Sequence, residues 1–115
     1  MQNPVLLDTI KKLKSVGKTN KAGVWLATAR MLSRSRSKRA IVNVGKIAKY
    51  TKDGNKVIVP GKVLGSGNIN HKIELASFGI SLEAAKKVKE AGGIILTINE
   101  MLERYPNGKE VIIIG

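Results

Sequence analysis

The sequence predicts a mixed α/β fold in which short, largely buried strands alternate with helices behind an N-terminal helical extension. Three observations carry this. A unit of helix, glycine turn and short apolar strand recurs loosely three times in the second half of the chain. Ahead of it, apolar residues recur at helical spacing. The length of 115 residues with 43% hydrophobic content suits one domain with a real core. We expect a single domain over 1–115, with 1–40 a basic helical extension and loop and 41–115 the α/β core.

Asn3-Pro4 reads as an N-cap followed by proline at the first helical position, where its missing N–H costs nothing. Leu6, Ile10 and Leu13 then mark one helical face, and Gly17 is placed for a left-handed stop. Asn20 is positioned to cap a second helix in which Trp25, Ala29 and Leu32 share a side. Its end runs into Arg34-Ser35-Arg36-Ser37-Lys38-Arg39, which has no apolar anchor and reads as disordered by itself.

A helix from about Gly45 to Tyr50 then leads through Asp53-Gly54-Asn55 to Val57-Ile58-Val59. A turn at Pro60-Gly61, a short strand, the glycine-rich Gly65 to Asn68 and a returning strand around Lys72-Ile73-Glu74-Leu75 make the simplest continuation. Ser81 caps a helix with Glu83 in its first turn, which stops at Gly92-Gly93 before Ile94-Ile95-Leu96. Thr97 and Glu100 have capping-box spacing for a last helix, ending at Tyr105-Pro106-Asn107-Gly108 before Val111 to Ile114.

Charge supplies the main functional clue. Between Asp8 and Asp53 lie 44 residues with no carboxylate and 13 lysines and arginines, and the net +13 divides at Tyr50 into +11 and +2. A one-signed field over half a small protein costs self-repulsion, and a polyanionic partner relieves it. Nucleic acid is the expected partner. Arginine adds a planar fork that fits phosphate, whereas lysine acts as a mobile point charge. The aromatics Trp25, Tyr50, Phe78 and Tyr105 do not form a strand-spaced platform, so base stacking along a single strand is not expected. Backbone and shape recognition of folded RNA or duplex fits better. Trp25 lies on an apolar stripe and reads as core.

Other chemistries find little support. With no cysteine, disulfides and thiolate metal sites are excluded, as a reducing compartment would favour. Gly61 to Asn68 lacks the lysine and hydroxyl that complete a P-loop, and it sits between strands rather than at a helix N-terminus. His71 is the only histidine, its nearest carboxylate in sequence is Glu74, and it assembles neither a metal set nor a triad. The carboxylates Glu83, Glu90, Glu100 and Glu103 fall beside basic residues on helices, where surface pairing accounts for them. No catalytic residue, metal or cofactor is expected. No signal-peptide core or membrane-length stretch is present, so a soluble, cytoplasmic protein is expected.

Val59-Pro60-Gly61-Lys62-Val63-Leu64-Gly65-Ser66-Gly67 resembles the signature of the archaeal large-subunit ribosomal family called "eighteen-e". Trp25, the segment Val42-Asn43-Val44-Gly45-Lys46-Ile47, and Ala91-Gly92-Gly93 leading to Ile95-Leu96-Thr97 resemble it in order and spacing, together spanning roughly 22 to 108. The resemblance implies a structural, non-enzymatic constituent of the large ribosomal subunit, bound to large-subunit rRNA and neighbouring ribosomal proteins. It also implies a fold shared with the bacterial "fifteen" family, an irregular superhelix of three loose strand-strand-helix units behind a helical extension. Eukaryotic members carry a long basic C-terminal tail, which is not found here, so its contacts do not transfer and the short form fits an archaeal type.

The densest expected phosphate-contact group is Arg34, Arg36, Lys38 and Arg39, joined by Arg30. Lys46, Lys49, Lys11, Lys12, Lys14, Lys18 and Lys21 support it, and Lys62 with Gly65-Ser66-Gly67 is expected to approach RNA closely. A free-standing nucleic-acid-binding regulator or chromatin protein would share the charge pattern but not the ribosomal motifs.

Overall fold

The computed structural model describes residues 4–115, apart from the Arg36 side chain. The cap expected at Asn3 lies outside the described residues. Helices α1 (Pro4–Thr19) and α2 (Gly23–Leu32) lead through a 3-10 turn at Arg36–Lys38 to β1 (Ala40–Asn43) and α3 (Val44–Tyr50). There follow β2 (Asn55–Leu64), β3 (Ile73–Ile80), α4 (Leu82–Glu90), β4 (Ile94–Thr97), α5 (Ile98–Arg104) and β5 (Val111–Ile113). The mixed α/β class, the N-terminal helices and the three helix-to-strand units ending in β2, β4 and β5 are all present.

All strand pairs are parallel, in the order β1-β2-β3-β4. β1 pairs with Gly61 to Leu64 and β5 with Lys56 to Ile58, so the two lie end to end along the side of β2 away from β3. Sheet residues of opposite parity face two helical layers. Ile58, Ala76 and Leu96 pack with Leu6, Ile10 and Leu13 of α1, with Trp25, Ala29 and Leu32 of α2, and with α5. Val57, Val59, Val63 and Leu75 pack with Val44 and Ile47 of α3 and with Ala84 and Val88 of α4. Burial on both faces explains why Val57-Ile58-Val59 is continuously apolar rather than alternating. Each fully buried side chain of this kind contributes roughly 1.5–3 kcal/mol.

The expected hairpin is absent, and the turn expected at Pro60-Gly61 is a bulge inside one long strand, where the register shifts between Val59 and Lys62. A bulge is where a strand tolerates proline, because no ladder bond is asked of its missing N–H. Gly61 answers a different demand: a Cβ there would lie 2.0 Å from the Ala40 carbonyl oxygen of β1. The returning strand is parallel, with Asn55 opposite Ile73. The connection from Leu64 must travel back along β2, and the eight residues from Gly65 to Lys72, at about 3.3–3.6 Å each, reach only ~26–29 Å. It therefore has no length to spare for a helix.

Two terminus expectations also change. α1 runs through Gly17 to Thr19, because Gly17 is buried where a Cβ would come within 2.9 Å of Leu26, and the left-handed residue is Lys21. Asn20 does not cap α2, whose N-cap Ala22 has no side-chain bond; its amide instead donates to Val16 O at 2.9 Å, closing the end of α1. The expected caps hold at the other helices. Ser81 accepts from Ala84 N at 3.1 Å, and Thr97 and Glu100 form a reciprocal capping box at the start of α5.

Candidate nucleic-acid interface

The basic residues occupy both helical layers, and those from Arg30 to Lys49 follow the chain around the β1 edge. Lys11, Lys12, Lys14 and Lys18 line the exposed side of α1, whose apolar stripe faces inward, and Lys21 follows it. Arg30 ends the exposed side of α2, and Arg34 and Lys38 are exposed in the turn that follows. Lys46 and Lys49 are exposed on α3, across the sheet from α2, and Lys62 is exposed on β2 beside β1. The chain thus carries charge around one edge of the sheet as it passes from α2 through β1 to α3. The Arg36 side chain lies outside the described residues.

The salt bridges among the described residues are Lys12–Glu103, Lys86–Glu90, Lys87–Glu83 and Arg104–Glu74. From Lys14 to Lys62, none of the described basic side chains pairs with an aspartate or glutamate, and Lys46 Nζ donates to Gly115 O at 3.4 Å. Five of the eight carboxylates sit on β3, α4 and α5; Asp8 lies on α1, Asp53 in the turn before β2 and Glu110 before β5.

The stretch Arg34 to Arg39 has an anchor the sequence did not disclose. Arg39 is half-buried, and its Nε donates to Leu32 O at the end of α2 at 3.2 Å. Its guanidinium stands 5.7 Å from the centre of the Phe78 ring. Phe78 is a residue that sequence reasoning left out of the site, because nothing local links positions 39 and 78.

Gly65, Ser66 and Gly67 form a braced loop. Lys87 Nζ donates to the Gly65 and Gly67 carbonyls, both at 2.6 Å, and pairs with Glu83 at 3.4 Å. Gly45 N donates to Ser66 O at 2.9 Å, and Gly67, at φ +88°, lies so close that a Cβ on it would come within 2.5 Å of Gly45 Cα. Packing against α3 and α4 therefore accounts for these glycines. Lys87 reads in the sequence as a helix-surface lysine, and its grip on the loop depends on the parallel return of the chain.

His71 lies in the β2–β3 connection rather than a hairpin, with Nε2 2.7 Å from Thr51 Oγ1, while that hydroxyl also contacts Ile47 O at 2.7 Å. If the hydroxyl donates to the carbonyl, the imidazole N–H donates to the hydroxyl. No group of three His, Cys, Asp or Glu among the described residues is arranged to hold a metal. Among the described residues no helix is long and apolar enough to cross a membrane.

A second polar knot sits at the start of β2 and β3. Tyr105 Oη donates to the Glu74 carboxylate, 2.8 and 2.7 Å from its two oxygens, and Arg104 joins it at 3.1 Å. The bond to Glu74 holds the phenol proton and pushes its pKa up. Lys56 lies 4.1 Å above the same ring, completing a closed set of contacts that braces β2, β3 and α5.

Fold and surface together define a small basic α/β protein whose chemistry lies in displayed charge rather than in an enclosed reaction site. Residues 6–115 match the family model described as ribosomal protein 60S L18 and 50S L18e. The chain is 44% identical over 102 residues to large ribosomal subunit protein eL18 of Pyrobaculum aerophilum, covering 89% of this chain and 84% of that one. It is 44% identical over 109 residues to the protein of that name from Archaeoglobus fulgidus, covering 95% and 93%. With that of Methanothermobacter thermautotrophicus the identity is 38% over 112 residues, covering 97% and 93%. The chain belongs to this ribosomal protein family, in its archaeal type, and as such is not an enzyme.

Proposed function

We propose that this chain is a structural constituent of the large ribosomal subunit that binds large-subunit rRNA through its basic N-terminal half. The observation that carries this reading is the run of described lysines and arginines from Arg30 to Lys49, without an aspartate or glutamate partner, that follows the chain around the β1 edge, with the exposed lysines of α1 beyond it. Phosphate contacts supply affinity and position without needing base readout. Arg34, Arg36, Lys38 and Arg39 form the densest group, Lys46, Lys49 and the α1 lysines extend it, and Lys62 with the Gly65 to Gly67 backbone forms its margin. On this reading the chain sits beside neighbouring ribosomal proteins, in the cytoplasm with the ribosome.

The test is a salt titration of binding to a large-subunit rRNA transcript by the wild type and by the combined variant Arg30→Ala, Arg34→Ala, Lys38→Ala. The variant binds more weakly, and its log–log salt slope is shallower by roughly 0.7–0.9 for each lost phosphate contact. An unchanged slope would move the contact surface elsewhere.

A further inference from the structure

We propose that Phe78, held beside Arg39, is a stacking platform for one unpaired base of the large-subunit rRNA, an inference that rests on the RNA-binding reading above. Phe78 is 36% exposed on β3, the one described aromatic ring with an arginine guanidinium against it. That guanidinium is oriented by its bond to Leu32 O rather than by a carboxylate. Unpaired bases in RNA are recognised by stacking on aromatic rings and on guanidinium planes, and this pair presents both.

The residue after Phe78 supplies an independent observation. Gly79 lies inside a strand, where glycine weakens the element. Nothing within the protein demands it. Its φ is not in the left-handed region, and a Cβ there would meet only Lys62 Cγ, at 3.8 Å, an ordinary contact. A glycine required neither by conformation nor by internal packing leaves backbone bare for something arriving from outside. Its cross-strand partner is Lys62, whose own partner on β1 is Ile41, 69% exposed. The row Ile41, Lys62, Gly79, with Phe78 and Arg39 beside it, is thus apolar at its ends and cationic within.

The occupant follows from that charge. An apolar protein segment seated on the ring would cover Arg39 and Lys62 without a counter-charge, which is costly. A nucleotide brings a base for the ring and a phosphate for the cations in one ligand. The sequence argued against an aromatic platform spaced along a strand, and one ring with one guanidinium is a different device, suited to a single base.

The experiment measures affinity and salt slope on the large-subunit rRNA transcript for the wild type, Phe78→Leu, Phe78→Tyr and Gly79→Val, with thermal unfolding of each. Phe78→Leu weakens binding roughly tenfold at an unchanged salt slope, because the ring neutralises no phosphate, and Phe78→Tyr retains affinity. Gly79→Val also weakens binding while its unfolding temperature stays level or rises. Wild-type affinity in both Phe78→Leu and Gly79→Val overturns the stacking site and leaves the RNA reading intact, as expected if a protein covers the patch. Absence of salt-dependent rRNA binding by the wild type overturns both.

Discussion

The indole Nε1 of Trp25 donates to the Tyr105 carbonyl oxygen at 3.1 Å, tying α2 to the turn that follows α5 across 80 positions of sequence. The same N–H lies 3.0 Å from Pro106 O, and the ring is wholly buried among residues of α1, α2 and α5. The N-terminal helices are thereby fastened to the last unit of the sheet.

Trp25→Phe removes that donor from two carbonyls and leaves a cavity at the centre of one core layer. We expect a loss of about 2 kcal/mol or more in unfolding free energy, read by chemical denaturation. Stability equal to the wild type would show that the layer repacks freely around position 25.

Gly61→Ala tests the close approach of β1. Because the neighbouring atom is the Ala40 carbonyl rather than a flexible side chain, the added methyl cannot be accommodated by a rotamer change. Destabilisation of about 3 kcal/mol is expected, with faster hydrogen exchange at the amides of β1. Protection of those amides at the wild-type level would contradict the fit.

Lys87→Met removes the ammonium that bridges the Gly65 and Gly67 carbonyls but keeps the apolar stem. A loss of about 1–2 kcal/mol follows, the lower end reflecting partial exposure. Amide exchange at Ser66 and Gly67 should accelerate while that of β3 stays unchanged. An equally rigid loop would assign its order to Gly45 and Glu83 alone.

Glu100 provides a pH-dependent contribution. Its carboxylate accepts from Thr97 N at 2.9 Å, and that backbone bond, followed by the Thr97 hydroxyl, lowers its pKa below the ordinary carboxylate value. A depressed folded-state pKa stabilises above the unfolded value and is lost as pH falls through the folded one. Wild type should therefore exceed Glu100→Gln in unfolding temperature at neutral pH, with the gap closing below the ordinary carboxylate range. A gap independent of pH would assign the effect to packing.

Legibility in the sequence followed the range of the interactions. The capping box at Thr97 and Glu100 and the cap at Ser81 were readable because each is a bond between residues three apart. The stripe of Trp25, Ala29 and Leu32 was readable because helical periodicity is local. The β2–β3 pairing is not legible there: Pro60-Gly61 carries turn chemistry, yet a bulge satisfies proline equally well, and only the approach of Ala40 requires the glycine. Asn20 reads as a cap for α2 yet closes α1, because its side chain reaches back to Val16 as easily as forward.

The candidate site divides in the same way. That positive charge is concentrated before Asp53 is a property of composition, and it selects a polyanionic partner whatever the fold. That Lys62 lies beside β1, that Lys87 closes the glycine loop and that Arg39 meets Phe78 depend on which strands lie side by side. Those contacts join residues 20 to 40 positions apart, and pairing between parallel strands leaves no short-range pattern from which to read them. Caps, helical stripes and partner class were set by the sequence alone; register, loop bracing and the ring beside the arginine were decided by tertiary structure.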